Sequence, residues 1–251
     1  MQGRNQFMGR WYPLPPLWLE GRAGLEYARL LRSSVFSGAG VAPGEGRPVM
    51  LIPGFLAGDR SLDVMRGWLR RSGYRPLRSG INLNIESSEL LVQRIGARLA
   101  ADYRRHGRRV ILIGQSRGGV LAFGVAGRFP KMVDCVVTLG SPLADPLDVH
   151  PSTMAAVHVA RLLHTIRRGP KGLDIRFDDE LKNPVTVPVT SIYSNSDGIV
   201  NGRACRRPDV ESIEVGGSNV GMALNPRVYE QVARLLGGRS TLDVTSPGAS
   251  R

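Results

Sequence analysis

Histidine and lysine are scarce in this 251-residue chain, with four of the first and three of the second (Lys131, Lys171 and Lys182). Histidine is the side chain that titrates near neutral pH, so His106, His150, His158 and His164 are the whole stock of ordinary general bases. Their spacing does not match a metal-ligand set, and neither a metal nor another cofactor is expected. Two cysteines, Cys135 and Cys205, are too few for a disulfide framework and suit a reducing compartment. Cys135 falls in the apolar run Val133 to Leu139 and is expected in a buried strand, Cys205 in a polar loop. No apolar run approaches the ~18–20 residues that cross a bilayer. Met1 to Arg10 is polar and carries no hydrophobic signal core, so a cytoplasmic location is expected. The net charge is +13, almost all of it from arginine. Without a nucleic-acid motif or a basic stripe interleaved with aromatics, that charge reads as a basic surface, with no nucleic-acid partner.

What is present is enough apolar residue for a sizeable core, 42% of the chain, over a length that fits one α/β domain or two small ones. One domain over 1–251 is expected, with an N-terminal arm and helix over 1–40. Residues 1–19 are rich in proline and aromatics, and 20–34 carry Leu25, Ala28, Leu30 and Leu31 at helical spacing. Strand and helix then alternate. Strands are expected at Pro48 to Ile52, Tyr74 to Ser79, Val110 to Ile113, Val133 to Leu139, Val187 to Tyr193 and Ile213 to Val215. Helices are expected at Leu62 to Arg71, Ser87 to Arg105, Gly118 to Phe129 and Pro226 to Leu236. This alternation implies a mostly parallel sheet with helices on both faces, and wholly apolar strands such as Val110–Ile113 agree with two-sided burial. It breaks over 141–186, an insert with one helical stretch, Ser152 to Arg168, placed where a mobile lid would overhang the sheet. Residues 238–251 are rich in Gly, Ser, Thr and Pro and are expected to be a disordered tail.

The most informative stretch is Val110 to Gly119. An apolar run ends at Gly114-Gln115-Ser116-Arg117-Gly118, and a helical run follows: strand, Gly-x-Ser-x-Gly turn, helix. The turn is too sharp for side chains at its flanks, so Gly114 and Gly118 let strand and helix approach while Ser116 points outward. That is a nucleophile elbow. A serine nucleophile needs a base beside it, an acid to orient the base, and backbone N–H donors for the developing oxyanion. One donor belongs to the residue after the nucleophile, Arg117. The other is expected from the loop Pro53-Gly54-Phe55-Leu56, with Phe55 as first choice and Leu56 as second. Asp197, in the turn after Val187–Tyr193, is the candidate acid, with Asp145 as runner-up.

Four segments in this order resemble the α/β-hydrolase superfamily, specifically bacterial esterase- and lipase-like members with a Pro-Gly-Phe oxyanion loop. They are Pro53 to Asp59, Gly114 to Gly119, Ile192 to Val200, and Gly217-Ser218-Asn219-Val220-Gly221-Met222 through Asn225-Pro226. The resemblance runs over roughly residues 20–237 and implies the α/β-hydrolase fold with an inserted lid. It also implies a serine ester hydrolase in which the triad histidine follows Gly-Ser. This chain departs there, with Asn219 in the histidine's place. An amide cannot take the serine proton near neutral pH, although it can hydrogen-bond Asp197 and Ser116. His158, on the expected lid helix, is the histidine best placed to substitute. Gln115 stands beside the serine with no catalytic role.

Three readings stay open: an ester hydrolase, or a form of one with its base replaced; a binding protein or partner subunit that no longer hydrolyses; and a lyase, cyclase or acyl transferase on the same scaffold. The intact elbow, oxyanion loop and Asp197 favour the first. Phe55, Leu56, Leu143, Leu147, Met154 and Val157 suggest an apolar acyl chain or ester as the small-molecule partner. Leu56, Gln115, Leu143, Met154 and His158 are the expected substrate contacts.

Overall fold

In a computed structural model of the chain, residues 23–146, 148–149, 151 and 175–243 are described. The expected arm over 1–19, the lid helix over 152–168 and residues 244–251 lie outside them. The elements in chain order are α1 (Ala23–Leu31), β1 (Pro48–Ile52), α2 (Asp63–Arg71), β2 (Arg75–Arg78), α3 (Ser88–His106), β3 (Val110–Gln115), α4 (Arg117–Arg128), β4 (Val133–Leu139), α5 (Ile175–Glu180), β5 (Val189–Tyr193), β6 (Glu211–Glu214) and α6 (Pro226–Asp243). One six-stranded sheet runs β2-β1-β3-β4-β5-β6, with every neighbouring pair parallel.

Side chains alternate along a strand, and here the alternation sorts one sheet into two cores. Val49 and Leu51 of β1, with Ile111 and Ile113 of β3, face α1, α2 and α6 through Leu30, Trp68, Val228 and Tyr229. Met50 and Ile52, with Val110 and Leu112, face α3 and α4 through Leu91, Ile95, Leu121 and Phe123. Both faces being dry, β1 and β3 are apolar at every buried position, which is why they read as continuous runs. The edge strands are guarded differently. β2 is Arg-Pro-Leu-Arg and β6 is Glu-Ser-Ile-Glu, so charge and proline discourage further pairing. Trp68 fills the centre of the first core, meets Tyr229 edge to face at 4.8 Å, and donates its indole N–H to the Val35 carbonyl at 2.9 Å.

Local signals set several boundaries. Ser87 caps α3, accepting from Leu90 N–H, and Gly107 in the left-handed region ends the helix. The expected Leu25, Ala28 and Leu31 stripe of α1 is outside the core: Leu25 and Leu31 are more than half exposed, while Leu30 and Glu26 face inward. Helix α6 runs on to Asp243, past the expected stop at Leu236 and into the expected tail. The described ends of the insert after β4 pack into the core. Leu143, Phe177 and Leu181 are buried in the second core, and Phe177 lies against Gly124 of α4. Cys205 sits in the loop before β6 but is fully buried there rather than in a polar setting.

The order β2-β1-β3-β4 reverses direction between β1 and β3, the kind of switch point at which parallel sheets open a crevice beyond the strand ends. Both of its walls depend on missing side chains. A Cβ on Gly114 would run into the Gly118 backbone, and one on Gly118 would collide with the carbonyl oxygen of Ile52. Gly118→Ala is therefore expected to cost roughly 1–3 kcal/mol through overpacking. A denaturant midpoint within error of the unsubstituted protein would show that α4 does not pack this closely on β1.

Candidate active site

Strand β3 and helix α4 meet at Ser116, whose φ of +50° and ψ of −125° lie outside the regions that L-residues favour. Such a conformation persists only where the surroundings over-determine it. Here Ser116 N–H donates to the Leu139 carbonyl at 2.8 Å, its carbonyl accepts from Gly119 N–H at 2.9 Å, and the glycines on both sides are packed shut. Ser116 is left partly exposed at the tip of the turn.

The β1 loop comes up to this tip. A Cβ on Gly54 would touch Ser116 Cβ at 3.4 Å, so the two turns are in van der Waals contact. Leu56 is a second residue with positive φ, at +59°, and its N–H donates to the Asn84 carbonyl at 3.2 Å. Phe55 N–H has no acceptor among the described residues. Of the first and second choices for the loop donor, Leu56 is thus already engaged and Phe55 is not. Arg117 N–H lies at the head of α4, where the helix concentrates positive potential. Its guanidinium points away from the crevice, donating to Asn84 Oδ1, to Glu86 O at 2.6 Å and to Ser88 Oγ at 3.2 Å.

On the other side of Ser116, Asn219 is buried at 3% exposure. Its Nδ2 donates to Asp197 Oδ2 at 2.7 Å and to the Gly140 carbonyl at 3.1 Å. Asp197 Oδ1 in turn accepts from Ile199 N–H at 2.8 Å and Val200 N–H at 2.9 Å. Asp197, not Asp145, is the acid that faces Asn219; Asp145 is exposed on the neighbouring loop. Among the described residues no hydrogen bond joins Ser116 Oγ to Asn219. Gln115 Nε2 donates to the Asn219 carbonyl at 3.0 Å, fastening the Asn219 loop to the elbow.

Ser116, Asn219, Gln115, Gly54, Phe55 and Leu56 line one cavity of about 400 Å³, completed by Ser61, Ala57, Ile199, Val220, Ala223 and Leu224. Among the described residues, no charged side chain lines it. Leu143, expected at the substrate, is 3% exposed and belongs to the core instead, because the chain turns inward right after β4. Met154 and His158, like Leu147, His150, Val157 and His164, lie outside the described residues. His106 is at the far end of α3, beside Asp102 at 3.3 Å. Among the described residues no cluster of His, Cys, Asp and Glu is arranged to hold a metal ion. Burial, helped by the charge of Asp197, pushes the Cys205 thiol well above its ordinary pKa, so it stays protonated and is no rival nucleophile. Burial also raises Asp148, reinforced by Asp145 and opposed by a hydrogen bond from Asn201.

Four positions here escaped the sequence reading. Ser61 and Ala223 enter the cavity from 3-10 turns with no motif. Glu26, on α1, is buried and accepts from Ser218 N–H at 3.1 Å and Ser218 Oγ at 3.0 Å, beside Asn219. Asn84 is fully buried between the loop after β1 and Arg117. Polar residues of this kind acquire meaning only from tertiary neighbours.

No protein-family model and no curated protein matches the chain. Solved structures do. A Bacillus licheniformis lipase in its mature form superposes with a TM-score of 0.58 at 18% identity, covering 77% of this chain and 94% of that one. A metagenomic carboxyl esterase gives 0.61 at 14%, covering 80% and 78%. A monoacylglycerol lipase of Paleococcus ferrophilus gives 0.53 at 14%, covering 79% and 96%. At these identities the likeness establishes the fold: the chain has the α/β-hydrolase fold expected from its motifs. Among the described residues, no helix is long and apolar enough to cross a membrane.

Removing the Asn219 amide would leave Asp197 Oδ2 and the Gly140 carbonyl without their donor. Asn219→Ala is expected to lower stability by about 1–3 kcal/mol. Chemical denaturation checks this, and an unchanged midpoint would mean that water replaces the amide without loss.

Proposed function

We propose that this chain is a serine hydrolase of carboxylic esters whose turnover is held down by Asn219. One observation carries the reading: Ser116, at a strained elbow, shares a cavity with the Gly54–Phe55 loop and with Asn219, whose amide donates to Asp197 behind it at 2.7 Å. The fold neighbours named as a lipase, a carboxyl esterase and a monoacylglycerol lipase support the same class of chemistry. The mostly apolar lining, with no charged side chain among the described residues, fits a neutral ester with an apolar acyl group.

In this reading Ser116 Oγ attacks the ester carbonyl carbon. The carbonyl π pair moves onto oxygen, and the oxyanion accepts from the N–H groups of Phe55 and Arg117. The tetrahedral species collapses by expelling the alcohol, and water later releases the acyl group from Ser116. Both steps need a proton acceptor at the serine, where a triad histidine would act as base and then as acid. Asn219 reproduces one half of that function. Its Nδ2–H donates to Asp197 as an imidazole N–H would. Its carbonyl oxygen can accept a hydrogen bond but not a proton, so the serine proton must go to water.

A second reading has its own observation. Both Nδ2 contacts of Asn219 are satisfied within the protein, by Asp197 and Gly140. A site so settled suits a protein that binds an acyl compound, or polarises it for a non-hydrolytic reaction, without hydrolysing it.

Turnover of short and medium p-nitrophenyl esters separates the two. The protein as it stands is expected to be slow, and Asn219→His is expected to raise kcat/KM by at least ~10²-fold, the low end for a general base. Ser116→Ala in that background removes the gain. A folded Asn219→His protein with no gain would put the binding reading first.

A further inference from the structure

We propose that Asn84 is a positioning residue that selects which backbone N–H groups face Ser116 and ties the two oxyanion donors together. The inference rests on the reading of Ser116 as nucleophile. Asn84 follows β2, is fully buried, and commits all four of its polar groups. Its backbone N–H donates to the Ala57 carbonyl at 2.8 Å, and its carbonyl accepts from Leu56 N–H at 3.2 Å. Its side-chain Nδ2 donates to the Pro53 carbonyl at 2.8 Å. Its Oδ1 accepts from the Arg117 guanidinium.

Three of these bonds hold the segment that carries Phe55, and the fourth holds the residue whose own N–H is the second donor. The consequence is specific. By engaging Leu56 N–H, Asn84 leaves Phe55 N–H as the group presented toward Ser116. Leu56 is held at a φ of +59°, which a leucine leaves unless its neighbours oppose it. Relaxation of Leu56 would rotate the Phe55–Leu56 peptide, release Leu56 N–H from Asn84, and shift the adjoining Phe55 backbone that bears the donor, without emptying the cavity. Arg117 stiffens the same link from its other side, through Glu86 O and Ser88 Oγ. A buried asparagine used only for packing would not join two loops that both border the nucleophile.

The test is phosphonylation of the full chain by an alkyl fluorophosphonate, followed by intact and peptide mass spectrometry over a concentration series. In this reaction an Oγ–P bond forms, the P–F bond breaks, fluoride leaves and the hydroxyl proton goes to solvent. The P=O oxygen needs the oxyanion donors, whereas reversible docking of the alkyl chain does not. Asn84→Ala and the near-isosteric Asn84→Asp, which keeps an acceptor for Arg117 but lacks the donor to Pro53, are compared with the unsubstituted chain. The expected result is a limiting labelling rate lower by roughly tenfold or more in both variants, with the half-saturating concentration within about twofold. Unchanged limiting rates in the folded variants would overturn the proposal. So would a change confined to the half-saturating concentration, which would make Asn84 a determinant of pocket shape alone. Absence of any label on Ser116 in the unsubstituted chain would instead withdraw the nucleophile reading, and the role of Asn84 with it.

Discussion

The site depends on how closely α4 approaches β1 and β3. The approach is possible because Gly114, Gly118 and Gly119 present no Cβ to the facing backbone and to Ser141. That contact forces the chain through the conformation at Ser116 that an ordinary turn would avoid. It also brings the head of α4 to the switch point of the sheet, against the loop after β1. Sheet order, two dry faces and the glycines thus act in one direction. The cores on either side of the sheet hold the strand ends still, and the strand ends hold the strained turn. Local strain of order 1–3 kcal/mol at such a residue is small beside the burial around it.

In the proposed reading, Asn219 keeps the geometry of a hydrolase site and lacks part of its chemistry. The amide has a donor and an acceptor, as neutral imidazole does, and the donor is used on Asp197. What changes is basicity. Asp197 is itself held in place, with two backbone N–H groups on Oδ1 and the amide on Oδ2, so in the proposed reading the orienting acid meets an amide rather than an imidazole. The loop that carries Asn219 is supported from several directions: by Gln115 at its carbonyl, by Glu26 through Ser218, and by Gly140 at the side chain. Support on this scale agrees with the proposed place of Asn219 beside the reacting atoms.

Much of this was legible in the sequence where a local pattern has one physical meaning. The apolar runs of β1, β3 and β4 are strands because both faces of the sheet are covered, and the glycines around Ser116 read directly as an elbow. The turn that holds Asp197 was legible from its place after a late strand. The failures share a cause, which is burial decided by distant chain. Leu143 reads as a pocket residue from its loop but turns into the core beside α4. Cys205 reads as polar from its neighbours but is roofed by β5, with Ser191 Oγ on its carbonyl. Leu25 and Leu31 follow helical spacing, yet α1 packs through Leu30 and a buried glutamate. Asn84 had no signal at all, because an asparagine in a Leu-Asn-Ile loop becomes informative only once Pro53 and Arg117 lie beside it.

A crystal structure of the phosphonylated protein tests the central claim most directly, because the adduct's phosphoryl oxygen stands where the oxyanion would form. The account predicts phosphorus on Ser116 Oγ, with that oxygen accepting from Phe55 N–H and Arg117 N–H at about 2.7–3.1 Å. Asn219 is predicted to stay bonded to Asp197 in the same structure. An oxygen turned toward solvent or toward Asn219, or an adduct on another residue, would contradict it.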